Sequence, residues 1–204
     1  MTQTRTVDRL VAETHAERAR LVDLVDALSP QQWATPSLCE GWGVREVVAH
    51  VTMPYRAGPG SFLLGMARAR FDFNRYADRD ARATTAQRSD EWLVELWRRN
   101  IEHPWRPPGG GAVGALSHDL IHGLDITVPL GLPGPPSERI TMVLQASGDR
   151  NVAHFGVDLT GVRLVAVDAD IDVGEGSRIV RLPVSELLLV LAGRRNLTDV
   201  VGGA

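Results

Sequence analysis

From Val7 to Leu28 the apolar positions recur in steps of three and four: Leu10, Val11 and Thr14, then Leu21, Leu24, Val25 and Leu28. That spacing predicts an amphipathic helix. Arg18 breaks the stripe, so it is expected to face inward or lie at the stripe's edge. Ser29-Pro30 stops the helix and opens the next turn. Residues 31–43, with Pro36 and two glycines, read as a loop. A second helix starts near Gly43, with Glu46 in its first turn, where a carboxylate favours a helix N-terminus. Its stripe is Val44, Val47, Val48 and Val51, and Pro54 with Gly58-Pro59-Gly60 interrupts it. Phe62 to Ala83 then reads as helical and arginine-rich. Ser89 to His103 reads as a further long helix carrying Trp92, Leu93, Leu96, Trp97 and Ile101.

Three prolines and three glycines between Pro104 and Gly111 exclude regular structure there and read as a connecting loop, with the edge of a pocket around Trp105 as the alternative. The next helix is expected from about Gly114 to Val128, ending at Pro129-Leu130-Gly131. Another follows from about Ser137 to Ala153. After that the period changes. Val162 to Val167 and Arg178 to Leu182 alternate as strands, with Gly174-Glu175-Gly176 as a turn between them. Val184 to Ala192 is a short apolar helix capped by Gly193. The expected organisation is mainly α: a helical bundle over residues 1–153 and a small α+β domain over residues 154–204.

Composition narrows the chemistry. All 22 basic residues of the 204 are arginine, so no lysine is present to form a Schiff base. Cys39 is the single cysteine, which excludes an intrachain disulfide and a two-thiol redox pair. The net charge of -3 argues against nucleic acid as a partner, because phosphate binding calls for a basic face. No run approaches the roughly 20 apolar residues that span a bilayer. Met1 to Arg9 is polar and lacks the apolar centre of a secretory signal. The expectation is a cytoplasmic protein with no membrane or nucleic-acid partner.

The chain has six histidines. His118 and His122 stand four apart on one predicted helix, which puts them on one face a turn apart. Asp125 follows on the same stripe. His50 sits at the edge of the valine stripe of the second helix. Helical bundles commonly build metal sites from their inner faces. Two histidines from one helix and one from another would give a three-nitrogen site with open positions, suited to Zn²⁺, Ni²⁺ or Fe²⁺. Asp125 then reads as a carboxylate orienting a ligand imidazole, or as a charge near a helix end. Asp119 is an alternative ligand, about a quarter turn from His118. His15, His103 and His154 have no spacing that recruits them, and each histidine also has a plain structural reading.

Several segments together resemble a known family. They are Leu28 to Trp33, Thr35-Pro36-Ser37, Gly41-Trp42, Val44 to His50, and His118 to Ile126 followed by Pro129-Leu130-Gly131. Weaker matches continue at Gly161 to Ala166 and Ser185 to Arg194. The chain resembles the mycothiol-dependent maleylpyruvate isomerase-like branch of the DinB superfamily, common in actinobacteria. The resemblance implies a DinB-like four-helix bundle with a small C-terminal α+β domain. It also implies a divalent metal on His50, His118 and His122. His118 departs from the glutamate many relatives carry, which leaves the metal one charge unit more positive. Gly43 stands where relatives often have Ser or Thr, and Thr127-Val128 where many have basic residues.

The implied activity is that of a mycothiol-dependent transferase or isomerase. A metal-bound low-molecular-weight thiol would attack a small electrophilic substrate. A metal-dependent hydrolase and a non-catalytic metal- or ligand-binding bundle remain as alternatives, since a fold does not fix function. A homodimer is left open. Cys39 as an internal nucleophile has no neighbouring base visible in the sequence.

Overall fold

The computed structural model describes residues 2–147 and 157–202, which form two compact units. Of the described residues, one unit contains 14–106 with 125–132; the other contains 2–13, 107–124, 133–147 and 157–202. His154 and the expected boundary at 153/154 lie outside the described residues. The helices are α1 (Thr2–Asp26), α2 (Pro30–Trp33), α3 (Val44–Val51), α4 (Pro59–Arg68), α5 (Phe73–Gln87), α6 (Asp90–Arg98), α7 (Gly111–Thr127), α8 (Ser137–Ser147), α9 (Val184–Leu191) and α10 (Leu197–Gly202). The strands are β1 (Val162–Ala166), β2 (Asp172–Val173) and β3 (Arg178–Leu182). The molecule is therefore mainly helical, with a small C-terminal sheet.

The unit around 14–106 is held by one continuous apolar core. Leu21, Val22 and Val25 of α1, the valines of α3, Leu93 and Trp97 of α6, and Ile126 meet there, all buried. The predicted stripes of α1 and α3 are therefore the packed faces. Arg18 faces inward and is only 1% exposed. Its Nη1 donates to the carbonyls of Ile101 (3.2 Å) and His103 (2.7 Å), which satisfies a charge taken out of water. Glu17 is buried as well and pairs with Arg20 at 2.6 Å.

Local signals set the helix ends. Ser29 and Gln32 form a reciprocal cap around Pro30, which makes α2 a helical turn inside the expected loop. Ser89 caps α6 through the Trp92 N–H, and α6 stops at Arg98, short of the expected His103. The helix expected over Phe62 to Ala83 is in fact two. Arg70 and Phe71 take left-handed backbone (φ 60° and 61°), and Asp72 then caps α5 through the Arg75 N–H. The break lets α4 cross α5 closely: a Cβ on Gly65 would lie 2.3 Å from the Tyr76 ring.

In the other unit the strand order is β2-β1-β3, with β1–β2 antiparallel and β1–β3 parallel. Both long strands follow the sequence expectation, while β2 is a two-residue strand that the pattern did not mark. Gly176 permits the close return of the chain, since a Cβ there would lie 1.8 Å from the Gly161 carbonyl carbon. Helix α9, buried along most of its length, packs on β1 and α8. Gly193 caps it with φ 68°. No helix among the described residues is long and apolar enough to cross a membrane.

Candidate functional site

Helix α7 carries the histidine pair. Ala112, Ala115, Leu116, Leu120 and Leu124 recur at helical spacing and are buried, which fixes the helix's rotation. His118 and His122 are thereby set side by side, ring centroids 4.6 Å apart and nearly perpendicular. Both are half-buried. Asp119 is 1% exposed, and its Oδ1 lies 3.0 Å from His118 Nδ1. An ionised carboxylate can only accept, so this contact favours the tautomer with the proton on Nδ1.

The two histidines line a cavity of about 610 Å³ together with the Pro107–Gly110 loop, Ile121 and Arg194. That volume suits a small organic molecule. Of the two readings of this loop, connector or pocket edge, the second describes Pro107, Pro108, Gly109 and Gly110, which form part of the wall. Arg194 is among the lining residues, and its Nη1 donates to the Ala192 carbonyl at 3.4 Å.

In the unit around 14–106, His50 closes α3. Gly43 begins that helix, and its N–H donates to Glu46 Oε2 at 3.0 Å, so the glutamate supplies half of a capping box. Glu46 is held in turn by the Thr85 hydroxyl. His50 is buried (7% exposed) between aromatic rings, its centroid 5.2 Å from Trp42 and 6.4 Å from Phe73. Trp42 is anchored by its indole N–H, which donates to Asp78 Oδ1 at 2.9 Å. That hydrogen bond, with help from Arg82, holds the Asp78 carboxyl below its usual range.

Asp125 is completely buried, and its Oδ2 accepts from the Cys39 thiol at 3.0 Å. The Leu38 N–H donates to the Asp125 carbonyl, and the Cys39 N–H donates to Ser37 Oγ. The structure therefore brings Cys39 and Asp125 together, a pairing across 86 positions that no local pattern announces. His103 lies apart from this chemistry. Its Nδ1 accepts from the Trp105 N–H, its ring packs on Tyr55, and burial followed by the Arg18 charge pushes its pKa down. His15 is half-buried on α1.

The family model described as "Mycothiol maleylpyruvate isomerase N-terminal domain" matches residues 14–104. That span includes His50 and nearly coincides with the 14–106 segment of the first unit. No curated protein and no solved structure matches the chain. Over residues 14–104 the chain is thus similar to the mycothiol maleylpyruvate isomerase N-terminal domain.

Proposed function

We propose that the protein is a metal- and thiol-dependent transferase or isomerase acting on a small electrophile, with mycothiol as the thiol. The observation that carries this reading is the His118–His122 pair on the wall of a cavity large enough for a small substrate. The family match adds the thiol. His50, His118 and His122 are the proposed ligands of a divalent cation, with zinc first and nickel or iron as alternatives.

The donor set suits such an ion. Imidazole nitrogens bind zinc, nickel and iron well, and three of them leave positions open for a substrate. The pairing of His118 Nδ1 with buried Asp119 matches the outer-shell carboxylate typical of ligating histidines. Asp125 remains the proposed second outer-shell carboxylate. Its observed role is to receive the Cys39 thiol proton donor.

When bound, the cation would stabilise a thiolate at neutral pH and leave it nucleophilic. Every other part of the task falls to side chains. Arg194, whose Nη1 donates to the Ala192 carbonyl, is the cation of the lining that would attract a carboxylate of the substrate or thiol. Ile121 and the proline-rich loop supply apolar walls that limit water. The test is a thiol panel on zinc-reconstituted enzyme with small electrophiles. Turnover should require a low-molecular-weight thiol and should fall on Arg194→Ala. Equal turnover without any thiol would favour the hydrolase; stoichiometric metal with no turnover under any thiol would favour a binding protein.

A further inference from the structure

Asp119 is an unusual residue for its place. It follows His118 directly, and consecutive helical side chains point about 100° apart, so they do not face each other by default. Yet its carboxylate is 1% exposed and lies 3.0 Å from His118 Nδ1. A carboxylate withdrawn from water is retained where it is paired. We propose that Asp119 is a positioning residue: it holds His118 in the Nδ1–H tautomer and so makes Nε2 the nitrogen that His118 offers to a divalent cation. This rests on the reading of His118 as a ligand.

Proton placement decides which nitrogen of the ring can bind a cation. A neutral imidazole carries one N–H, and its other nitrogen holds the lone pair a metal needs. An ionised carboxylate has no proton to donate. The Asp119–His118 pair therefore fixes the proton on Nδ1 and the lone pair on Nε2. It also fixes the ring's rotation about its side-chain axis. His122 stacks edge-to-face against that ring at 4.6 Å, so orienting His118 restricts the pair. Without Asp119, His118 would sample both tautomers and further rotamers. A cation would then have to select the competent one.

The tautomer can be read in metal-free protein by two-bond ¹H–¹⁵N correlation of ¹⁵N-histidine-labelled chain above pH 7.5. Wild type should show His118 with Nδ1 protonated. Asp119→Leu, which keeps the branching at Cγ and removes the acceptor, should shift His118 toward Nε2–H. Asp119→Asn keeps an acceptor oxygen and should rescue the Nδ1–H form in part. In parallel, zinc affinity is measured by competition with a chromophoric chelator. Asp119→Leu should weaken zinc by about 10- to 100-fold, the usual effect of losing an outer-shell partner, and Asp119→Asn by less.

An Nε2–H tautomer in wild type would overturn the proposal, even if Asp119→Leu failed to fold. So would unchanged zinc affinity in a folded Asp119→Leu. Wild type that shows the Nδ1–H tautomer but binds no zinc would refute the metal site while leaving the positioning contact intact, so the two failures are distinct.

Discussion

Arg18 offers the sharpest test of how the first unit is held together. Its guanidinium is buried, bonds two carbonyls more than eighty positions away, and lies 5.8 Å from the centre of the Tyr55 ring. Replacing it by methionine keeps length and removes every donor. The Ile101 and His103 carbonyls then lose a charged donor. Both residues are half-buried, so water can reach them in part, which places the loss near about 1 kcal/mol each. The cation–π contact adds about 0.5–1 kcal/mol. Relief from burying a charge offsets some of this. Arg18→Met should therefore cost about 2 kcal/mol. Arg18→Ala adds a cavity and should cost about 4 kcal/mol.

Urea unfolding followed by tryptophan fluorescence reads both values. For a chain of this size about 2 kcal/mol corresponds to roughly 4–8 °C in melting temperature. A second readout is independent of stability. The Arg18 charge is the lesser of two causes that lower the His103 pKa, after burial. Arg18→Met should raise that pKa by NMR titration. Equal stability of wild type and Arg18→Met, with an unmoved His103, would refute the reasoning.

His103 itself predicts a pH dependence. Its folded pKa lies below the ordinary 6.5, so the unfolded chain takes up the proton first. Its contribution is fully present above pH 6.5 and is lost as pH falls from there through the folded pKa. The component of the stability–pH slope lost in His103→Gln measures it. Cys39→Ala removes a donor from completely buried Asp125 and should cost about 1–3 kcal/mol in urea unfolding. Cys39→Ser restores a donor, costs less, and should keep thiol-dependent turnover. Loss of turnover in a stable Cys39→Ser protein would contradict the imported thiol. Gly176→Ala drives a methyl into the Gly161 backbone and should cost about 3 kcal/mol by thermal melting.

Periodicity carried the parts of the fold that repeat. The α3 valines, the α1 stripe and the strands β1 and β3 emerged where alternation or helical spacing was long enough to read. The break between α4 and α5 did not, because Arg70 and Phe71 are poor markers of left-handed backbone. Strand β2 spans two residues, too few for a period. The same division holds at the candidate site. His118 and His122 were legible because one helical turn joins them. Asp119 was read as a quarter turn away, and only the side-chain conformation turns that neighbour into a partner. The Cys39–Asp125 contact and the place of Arg194 depend on chain return over long distances, which local pattern does not encode.

The central claim is a divalent metal on three histidines. It is tested most directly by elemental analysis of protein reconstituted with zinc and freed of excess by gel filtration. Wild type should carry about one ion per chain. His122→Ala should carry far less while keeping its far-UV circular dichroism. Absence of zinc in the reconstituted wild type, or a full complement in folded His122→Ala, would contradict the account.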